Sequence, residues 1–419
     1  MKTLLAIVSI LSLLPTGAFA DSLDWLTQYQ HSNIHYGQLA IHPYYDLSET
    51  YDSNIYLVPR DQPNGVTVGG GNRESWITKN DLGVETDLPW HKLHDLSTGY
   101  GFESQTYTTQ PATNDAYDQT AHTDYTYKGA YGLTAKAGEK FTSTTDQAFS
   151  QLTGRDRRWE NTVGGSLDYD PTNGRLAGGV DASQTNDKYL DPVLSQQLNR
   201  FEDLAGFNIG YKVRPKTKVY VSYHRDLIHY SIPDPDDDKD NRSNNFAVGV
   251  IGQLAQKLEG QIEVGVTDRQ YDVAITSGAS RIFITPTIAT AVTWKADPFT
   301  TVKLSLSRFA EESIDTSNPY YYENVAAIDI KHSFPRKFSA GLSASWEIDQ
   351  YPYNQAINSS GSIGRRRDDT YQVGAWVTYD IQKWLSTGVS FNRRERDSTL
   401  TDQFDYEDNQ VSWHVTLKF

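Results

Sequence analysis

Val411-Ser-Trp413-His-Val415-Thr-Leu417-Lys-Phe419 alternates strictly between apolar and polar side chains. Every odd-numbered residue of this stretch is apolar or aromatic, and every even-numbered residue is polar. Because successive side chains of a β-strand point to opposite faces, the period of two predicts a strand with one apolar face. The edge strand of a soluble sandwich is an alternative with the same alternation, although such a strand would rarely stop at a phenylalanine.

The same alternation recurs along most of the chain, including residues 258–267, 338–349 and 371–379. The third run begins and ends with an aromatic residue, as expected where two aromatic girdles mark the interfaces of a membrane. No helical period accompanies these runs, so lipid is the expected neighbour of their apolar faces. Counting the runs predicts about eighteen strands, an even number as in single-chain bacterial barrels. The strands are expected to start near Leu39, Ser75, Leu96, Tyr117, Leu133, Trp159, Arg175, Ala205, Thr217, Phe246, Leu258, Arg281, Thr301, Tyr321, Phe338, Tyr371, Leu385 and Asn409.

The connections between the predicted strands alternate in length. Short turns follow the even-numbered strands at 171–174, 214–216, 297–298, 334–336 and 382–383. Long polar loops follow the odd-numbered strands at 54–74, 145–157, 187–201, 228–243, 351–368 and 397–407. Short periplasmic turns and long extracellular loops are typical of transmembrane barrels. The sequence therefore predicts an all-β fold, a transmembrane antiparallel up-and-down β-barrel of about 18 strands, with both termini periplasmic.

The first twenty residues have the features of a secretory signal peptide. Lys2 precedes a short apolar run, and Ala18-Phe-Ala20 provides a small-residue cleavage site. An uncleaved anchor is the alternative, but the run is shorter than the ~20 residues that span a bilayer. The predicted organisation is a cleaved signal peptide at 1–20, a periplasmic N-terminal segment at 21–36 and an outer-membrane barrel at 37–419.

The composition argues against several classes of protein. With 53 acidic and 38 basic residues the formal net charge is −15, which disfavours nucleic acid as a partner because phosphate binding needs clustered Lys and Arg. The chain has no cysteine, so disulfide bonds cannot stabilise it. The mean hydropathy of −0.59 is uninformative for a barrel, where polar inward residues alternate with apolar outward ones. The 27 tyrosines suit membrane interfaces, although a Tyr-rich soluble sandwich is not ruled out by composition alone.

The alternating stretch at 411–419 resembles the C-terminal signature of bacterial outer-membrane proteins. That resemblance implies an assembly signal that the barrel-assembly machinery reads. Its outward residues would be Trp413, Val415, Leu417 and Phe419. The expected location is the cell outer membrane, where lipid and lipopolysaccharide would surround the barrel.

The inner wall is where function is expected, because barrels of 16–18 strands leave an aqueous channel. Alternation places carboxylates, bases and aromatic rings on this wall. The predicted lumen residues are Asp81, Glu85, Glu103, Asp124, Asp168, Asp181, Lys212, Lys218, Tyr220, Glu259, Glu263, Arg269, Lys303, Glu323, Asp329, Lys331, Glu347, Asp349, Trp376 and Arg394, with Tyr44 as a further inward aromatic. One interpretation is an ordinary solvated wall without selective sites. The other is a track of hydrogen-bonding groups and aromatic rings for a sugar polymer.

Two predicted extracellular loops carry concentrated charge. Residues 234–240 have the acidic spacing of a calcium loop but lack the central Gly and closing Glu of an EF-hand, so a solvated acidic loop is the alternative. Arg365, Arg366 and Arg367 are candidates for binding lipopolysaccharide phosphates or an acidic polysaccharide, with a solvated charge run as the alternative. No motif for catalysis, for a metal or for a cofactor is found in the context that it requires, so none of the three is expected.

The opening of the predicted barrel resembles a β-barrel porin family associated with exopolysaccharide export loci. The similar segments are residues 39–55, with a Pro-containing strand and a Tyr-Asp-Ser-Asn-Ile exit, then 75–78 and 99–101. The resemblance implies an export porin that works beside a periplasmic polysaccharide co-polymerase and an outer-membrane export lipoprotein. It implies no catalytic residues.

The favoured hypothesis is passive conduction of an exopolysaccharide through a wide polar lumen. A general or substrate-selective diffusion porin for small solutes is the alternative. An outer-membrane adhesin or enzyme is a further hypothesis from a different class. An enzyme would need a Ser, His and acid cluster on adjacent strands, and no such set is evident in the sequence.

Overall fold

The computed structural model describes residues 34–59, 73–147, 155–231, 239–272, 280–313, 318–356 and 363–419. The predicted signal peptide and most of the acidic 234–240 loop lie outside these ranges. Within them, one antiparallel sheet contains nineteen strands. The strands are β1 (Ile34–Tyr36), β2 (Leu39–Asp52), β3 (Ser75–Trp90), β4 (His94–Tyr107), β5 (Ala116–Lys128), β6 (Leu133–Thr144), β7 (Arg158–Tyr169), β8 (Leu176–Tyr189), β9 (Arg200–Arg214), β10 (Thr217–Tyr230), β11 (Asn241–Ala255), β12 (Leu258–Tyr271), β13 (Ile282–Lys295), β14 (Thr300–Glu312), β15 (Tyr320–Phe334), β16 (Phe338–Ala356), β17 (Ile363–Gln382), β18 (Leu385–Ser398) and β19 (Tyr406–Lys418).

The sheet closes on itself. Each strand from β2 onward pairs with the next one along the chain, and β19 pairs with β2 from Gln410↔Asp52 to Lys418↔Tyr44. The predicted 18-strand up-and-down barrel is therefore confirmed. The short β1 lies outside this ring and pairs with Leu39–Ile41 of β2, so part of the predicted N-terminal segment joins the sheet. Because closure pairs every strand on both sides, no strand of the ring is left as an exposed edge.

The two ends of the barrel differ in the length of their connections. Turns of a few residues join β3 to β4, β9 to β10 and β17 to β18, and the predicted turns at 214–216 and 382–383 are among them. The opposite end carries the longer connections, which include three short helices, α1 (Pro111–Asn114), α2 (Pro192–Leu198) and α3 (Thr401–Phe404). We call these the turn end and the loop end. β2 begins and β19 finishes at the turn end.

Several strands are longer than the alternation predicts. The predicted 351–368 loop is wrong at both ends, because β16 continues to Ala356 and β17 begins at Ile363. Arg365, Arg366 and Arg367 therefore lie in β17 and not in a loop. The apolar pattern marks only the part of a strand whose outer face is apolar, whereas backbone pairing continues where both faces are polar.

Apolar side chains are exposed on the outer face of the barrel. Leu82, Val264, Leu342 and Val373 are all largely exposed and alternate with polar residues of the inner face. Exposed aromatic residues concentrate at the two ends of the strands: Trp76, Tyr117 and Phe201 at the loop end, and Trp90, Trp294, Phe334, Trp384 and Phe419 at the turn end. An apolar band between two aromatic girdles is the outer surface that a bilayer requires.

Prolines interrupt the hydrogen-bond ladders at defined places. The β13–β14 ladder runs from Lys295↔Thr301 to Ile288↔Arg308 and stops near Pro286, which has no N–H to donate. Above that point, aromatic packing fills the seam, with the rings of Phe283 and Tyr320 stacked at 3.8 Å. Tyr271 and Ala310 complete this buried cluster.

Candidate functional site

The twenty predicted lumen residues all lie in strands, at positions that alternate with the exposed apolar residues. Asp81, for example, precedes the outward Leu82 in β3. A direct indication of the inward direction comes from Arg394 of β18, which donates to Gln147 Oε1 at 3.2 Å. Gln147 follows β6, six strands away around the ring. That contact is possible only through the interior of the barrel.

Several inward bases are paired with carboxylates from other strands or turns. Lys79 Nζ lies 2.6 Å from Glu103 Oε2, and His122 Nε2 lies 3.1 Å from Glu85 Oε2. At the turn end, Lys212 forms an ion pair with Asp170. In the described part of the wall, positive charge is therefore dispersed among carboxylates and forms no basic track of its own. Such a wall offers many hydrogen-bonding groups and a net negative potential.

Three inward aromatic side chains each lie against the glycine opposite to them on the neighbouring strand: Tyr44 against Gly83, Tyr220 against Gly249 and Trp376 against Gly341. A Cβ at any of these glycines would overlap the ring, so the glycine lets the ring lie along the wall. Aromatic residues cover strand glycines in this way in barrels. Tyr220 is buried, and its hydroxyl donates to Glu263 at 2.7 Å.

The loop half of the interior contains charged side chains that are buried or half-buried. We call this set the loop-end belt: Arg200, Glu202, Asp226, Arg269, Glu311, Glu312, Glu323, Glu347, Asp349, Arg366, Asp368 and Arg396. Arg269 shows the typical packing, since it contacts Glu312 at 2.5 Å and donates to Ser243 at 2.9 Å. Of its twelve members, only Arg269, Glu323, Glu347 and Asp349 are among the predicted lumen residues. Arg200, Arg366 and Asp368 fall in stretches predicted to be loops.

Arg366 and Arg396 are the two most enclosed bases of the belt. The guanidinium of Arg366 donates to Asp368 at 2.6 and 3.0 Å, and these two side chains are only 3% and 1% exposed. The rings of Tyr351 and Phe404 flank the guanidinium at 4.5 and 3.6 Å. Arg365 and Arg367 face the opposite way and are exposed. The arginine run is therefore divided between the two faces of β17.

The described residues of the connection between β6 and β7 contact side chains of the inner wall. Arg155, from this connection, donates to Gln105 Oε1 at 2.7 Å and lies over the ring of Tyr107 on β4. Burial raises the pKa of the neighbouring Asp156 carboxyl, and the charge of Asp191 raises it further. The described residues at both ends of this connection thus pack against the inner wall.

A protein-family model described as "Putative beta-barrel porin 2" matches residues 27–419. The chain belongs to this family. It is thus an outer-membrane channel of the porin type, as the resemblance at 39–101 predicted. No curated protein matches this porin.

Solved outer-membrane barrels share the fold of this porin at low sequence identity. The ferric enterobactin receptor PfeA of Pseudomonas aeruginosa, in a complex with enterobactin, is 10% identical with a TM-score of 0.50, over 90% of this chain and 81% of that one. The outer membrane protein OpdK of the same organism is 10% identical with a TM-score of 0.47, over 90% and 99% of the two chains. At such identities the likeness concerns the fold alone.

Proposed function

We propose that this porin conducts an exopolysaccharide outwards by passive diffusion. The observation that carries the proposal is the combination of aromatic rings lying along the wall with carboxylates beside them. Tyr44 interacts with Asp81, Glu85 and Glu103. An aromatic face takes the apolar C–H face of a sugar ring, while carboxylates accept hydrogen bonds from its hydroxyls.

The charge of the wall favours a neutral polymer over an anionic one. Inward carboxylates exceed inward bases in the loop-end belt, and inward bases such as Lys79 and Arg269 are paired with acids. A like-charged polymer would be repelled inside the barrel, because carboxylates of like sign line its wall. The substrate class that fits is therefore a polymer of uncharged sugars.

The same proposal assigns partners to the two ends. A periplasmic co-polymerase and an export lipoprotein would deliver the polymer at the turn end, after signal-peptide cleavage and insertion by the barrel-assembly machinery. At the loop end, exposed Arg365 and Arg367 would contact lipopolysaccharide phosphates. The proposed role is transport without catalysis.

Deletion of the whole chain in its native host tests the export role. We expect polysaccharide to disappear from the cell surface and to accumulate in the periplasm, because synthesis continues while the exit is missing. Both pools would be measured by sugar composition after fractionation, with the wild-type chain restored from a plasmid as control. Unchanged surface polysaccharide would rule the export role out.

Replacing Trp376 with alanine tests whether the aromatic rings of the wall contact the sugar. We expect neutral oligosaccharides to block the single-channel current for shorter times, by about 2- to 12-fold, which corresponds to the 0.5–1.5 kcal/mol of an aromatic contact. The matched control is Trp346→Ala, since Trp346 lies on the adjacent strand but is exposed on the outer face. Equal blocking times in the two variants would contradict a contact between the Trp376 ring and the sugar.

The close packing of the loop-end belt favours a second candidate, a diffusion porin for small solutes. Tyr321 and Tyr351 are 0% and 1% exposed in this half of the barrel, so other side chains cover both rings. A liposome-swelling assay with sugars of increasing size separates the two functions. Rapid uptake of monosaccharides with exclusion of all oligosaccharides would favour the small-solute porin.

A further inference from the structure

Three carboxylates converge in the loop-end belt on two neighbouring strands. Glu323 of β15 lies directly opposite Asp349 of β16, and Glu347 is two residues before Asp349 on the same inner face. One oxygen of each lies within 4.8 Å of the others. The three residues are 5%, 1% and 7% exposed in the order named. Burying three like charges together is costly unless a positive charge balances them.

The surroundings of the three carboxylates contain polar atoms that the protein does not satisfy. Glu323 Oε2 and Glu347 Oε1 are buried and have no hydrogen-bond partner among the described residues. The hydroxyls of Tyr321 and Tyr351 are also buried without a hydrogen-bond partner among the described residues. Tyr321 interacts electrostatically with Asp349 and Glu323. Buried polar atoms are normally bonded, so these mark the position of a bound ion or molecule.

The bases close to the three carboxylates do not balance their negative charge. Arg366 is engaged by Asp368 in a close ion pair. The remaining base is Arg396, whose Nε donates to Thr370 at 3.1 Å. Three carboxylates against this one guanidinium give a net charge of −2. A single divalent cation would neutralise it.

We propose that Glu323, Glu347 and Asp349 bind a divalent cation, Ca²⁺ in preference to Mg²⁺. Oxygens on opposite sides of a Ca²⁺ ion stand about 4.6–5.2 Å apart, so the three carboxylates fit within one coordination shell. The flexible geometry of Ca²⁺ tolerates ligands from adjacent strands, whereas Mg²⁺ demands a shorter octahedral arrangement. The cation would fix the inner wall between β15 and β16 at the loop end. This site does not depend on which solute the channel conducts.

Terbium luminescence tests the site, because the stacked rings of Tyr321 and Tyr351, 5.2 Å apart, would transfer excitation to a bound Tb³⁺. The full barrel, refolded in detergent and stripped with EDTA, would be titrated with Tb³⁺ and then with Ca²⁺. We expect one Tb³⁺ per barrel, displaced by Ca²⁺. Glu347→Gln should weaken binding by more than about tenfold, since the number of charged ligands sets affinity.

The control variant is Glu160→Gln, another inward glutamate near the loop end, on β7. It should bind Tb³⁺ as the wild type does. Equal weakening in both variants, or no sensitised emission from the wild type, would overturn the proposal. Should Glu347→Gln fail to fold, the site is tested on the wild type alone, by comparing its unfolding temperature in Ca²⁺ and in EDTA. A specific ligand raises this temperature because it stabilises the folded state. A midpoint that is the same in Ca²⁺ and in EDTA would also overturn it.

Discussion

Removal of β19 is expected to abolish folding of the barrel. This strand pairs with β18 from Leu385↔Leu417 to Arg396↔Tyr406 and with β2 from Gln410↔Asp52 to Lys418↔Tyr44. A chain that ends at residue 405 would therefore leave unpaired edges on β18 and β2. In hydrocarbon each unpaired backbone group costs several kcal/mol, so the total exceeds the 5–15 kcal/mol by which a protein is usually stable.

The measurement is the shift in gel mobility between heated and unheated samples, after refolding into detergent or lipid vesicles. Deletion of Ile34–Tyr36 is the matched control, because β1 is also a strand of the sheet but lies outside the ring. We expect the control to keep the mobility of a folded barrel. A folded species from the chain without β19 would show that closure does not depend on this strand.

Replacement of Arg366 by methionine is expected to destabilise the barrel by about 3–5 kcal/mol, as is typical when one partner of a buried ion pair is removed. Methionine keeps much of the volume between Tyr351 and Phe404 but leaves the Asp368 carboxylate buried without its base. Urea unfolding in detergent micelles, followed by tryptophan fluorescence, measures the change in unfolding free energy.

The neighbouring arginine provides the control for this experiment. Arg367 also contacts a carboxylate two residues ahead, Asp369 at 2.6 Å, but its side chain is 47% exposed. Arg367→Met should cost no more than about 1 kcal/mol, because solvent screens exposed pairs. The double variant Arg366→Met/Asp368→Leu should recover stability relative to Arg366→Met. Equal losses for the two single variants would refute the assigned difference in burial.

Strand number and order could be predicted from the sequence because every strand that spans the membrane must present apolar side chains to lipid at every second position. Runs such as 338–349 show the apolar face, and turn residues such as Pro171–Gly174 mark the short connections. The strand boundaries were predicted wrongly where the strands extend beyond the lipid and need no apolar face. Tyr371 is the expected start of β17, eight residues after Ile363, because residues 364–370 are polar on both faces and show no alternation of hydropathy.

Alternation predicts which side chains face inward, as with Asp81 and Arg394. It does not predict which of them meet. Contacts such as that of Arg269 with Glu312 join strands that are not consecutive, and their formation depends on strand stagger. The three adjacent arginines look identical in sequence, yet Arg366 is buried and its neighbours are exposed. Only the register of β17 distinguishes them.

The seam between β13 and β14 gives the barrel one compliant side. Below Ile288 the two strands are joined by a ladder of backbone hydrogen bonds. Above it their contact is through the side-chain cluster in which Phe283 of β13 and Ala310 of β14 pack with Tyr271 and Tyr320. A ladder opens cooperatively, but side-chain contacts separate one by one and at lower cost. Thermal breathing of the cylinder should therefore concentrate there, and solvent deuterium should reach the upper half of β14 before it reaches the fully laddered β12.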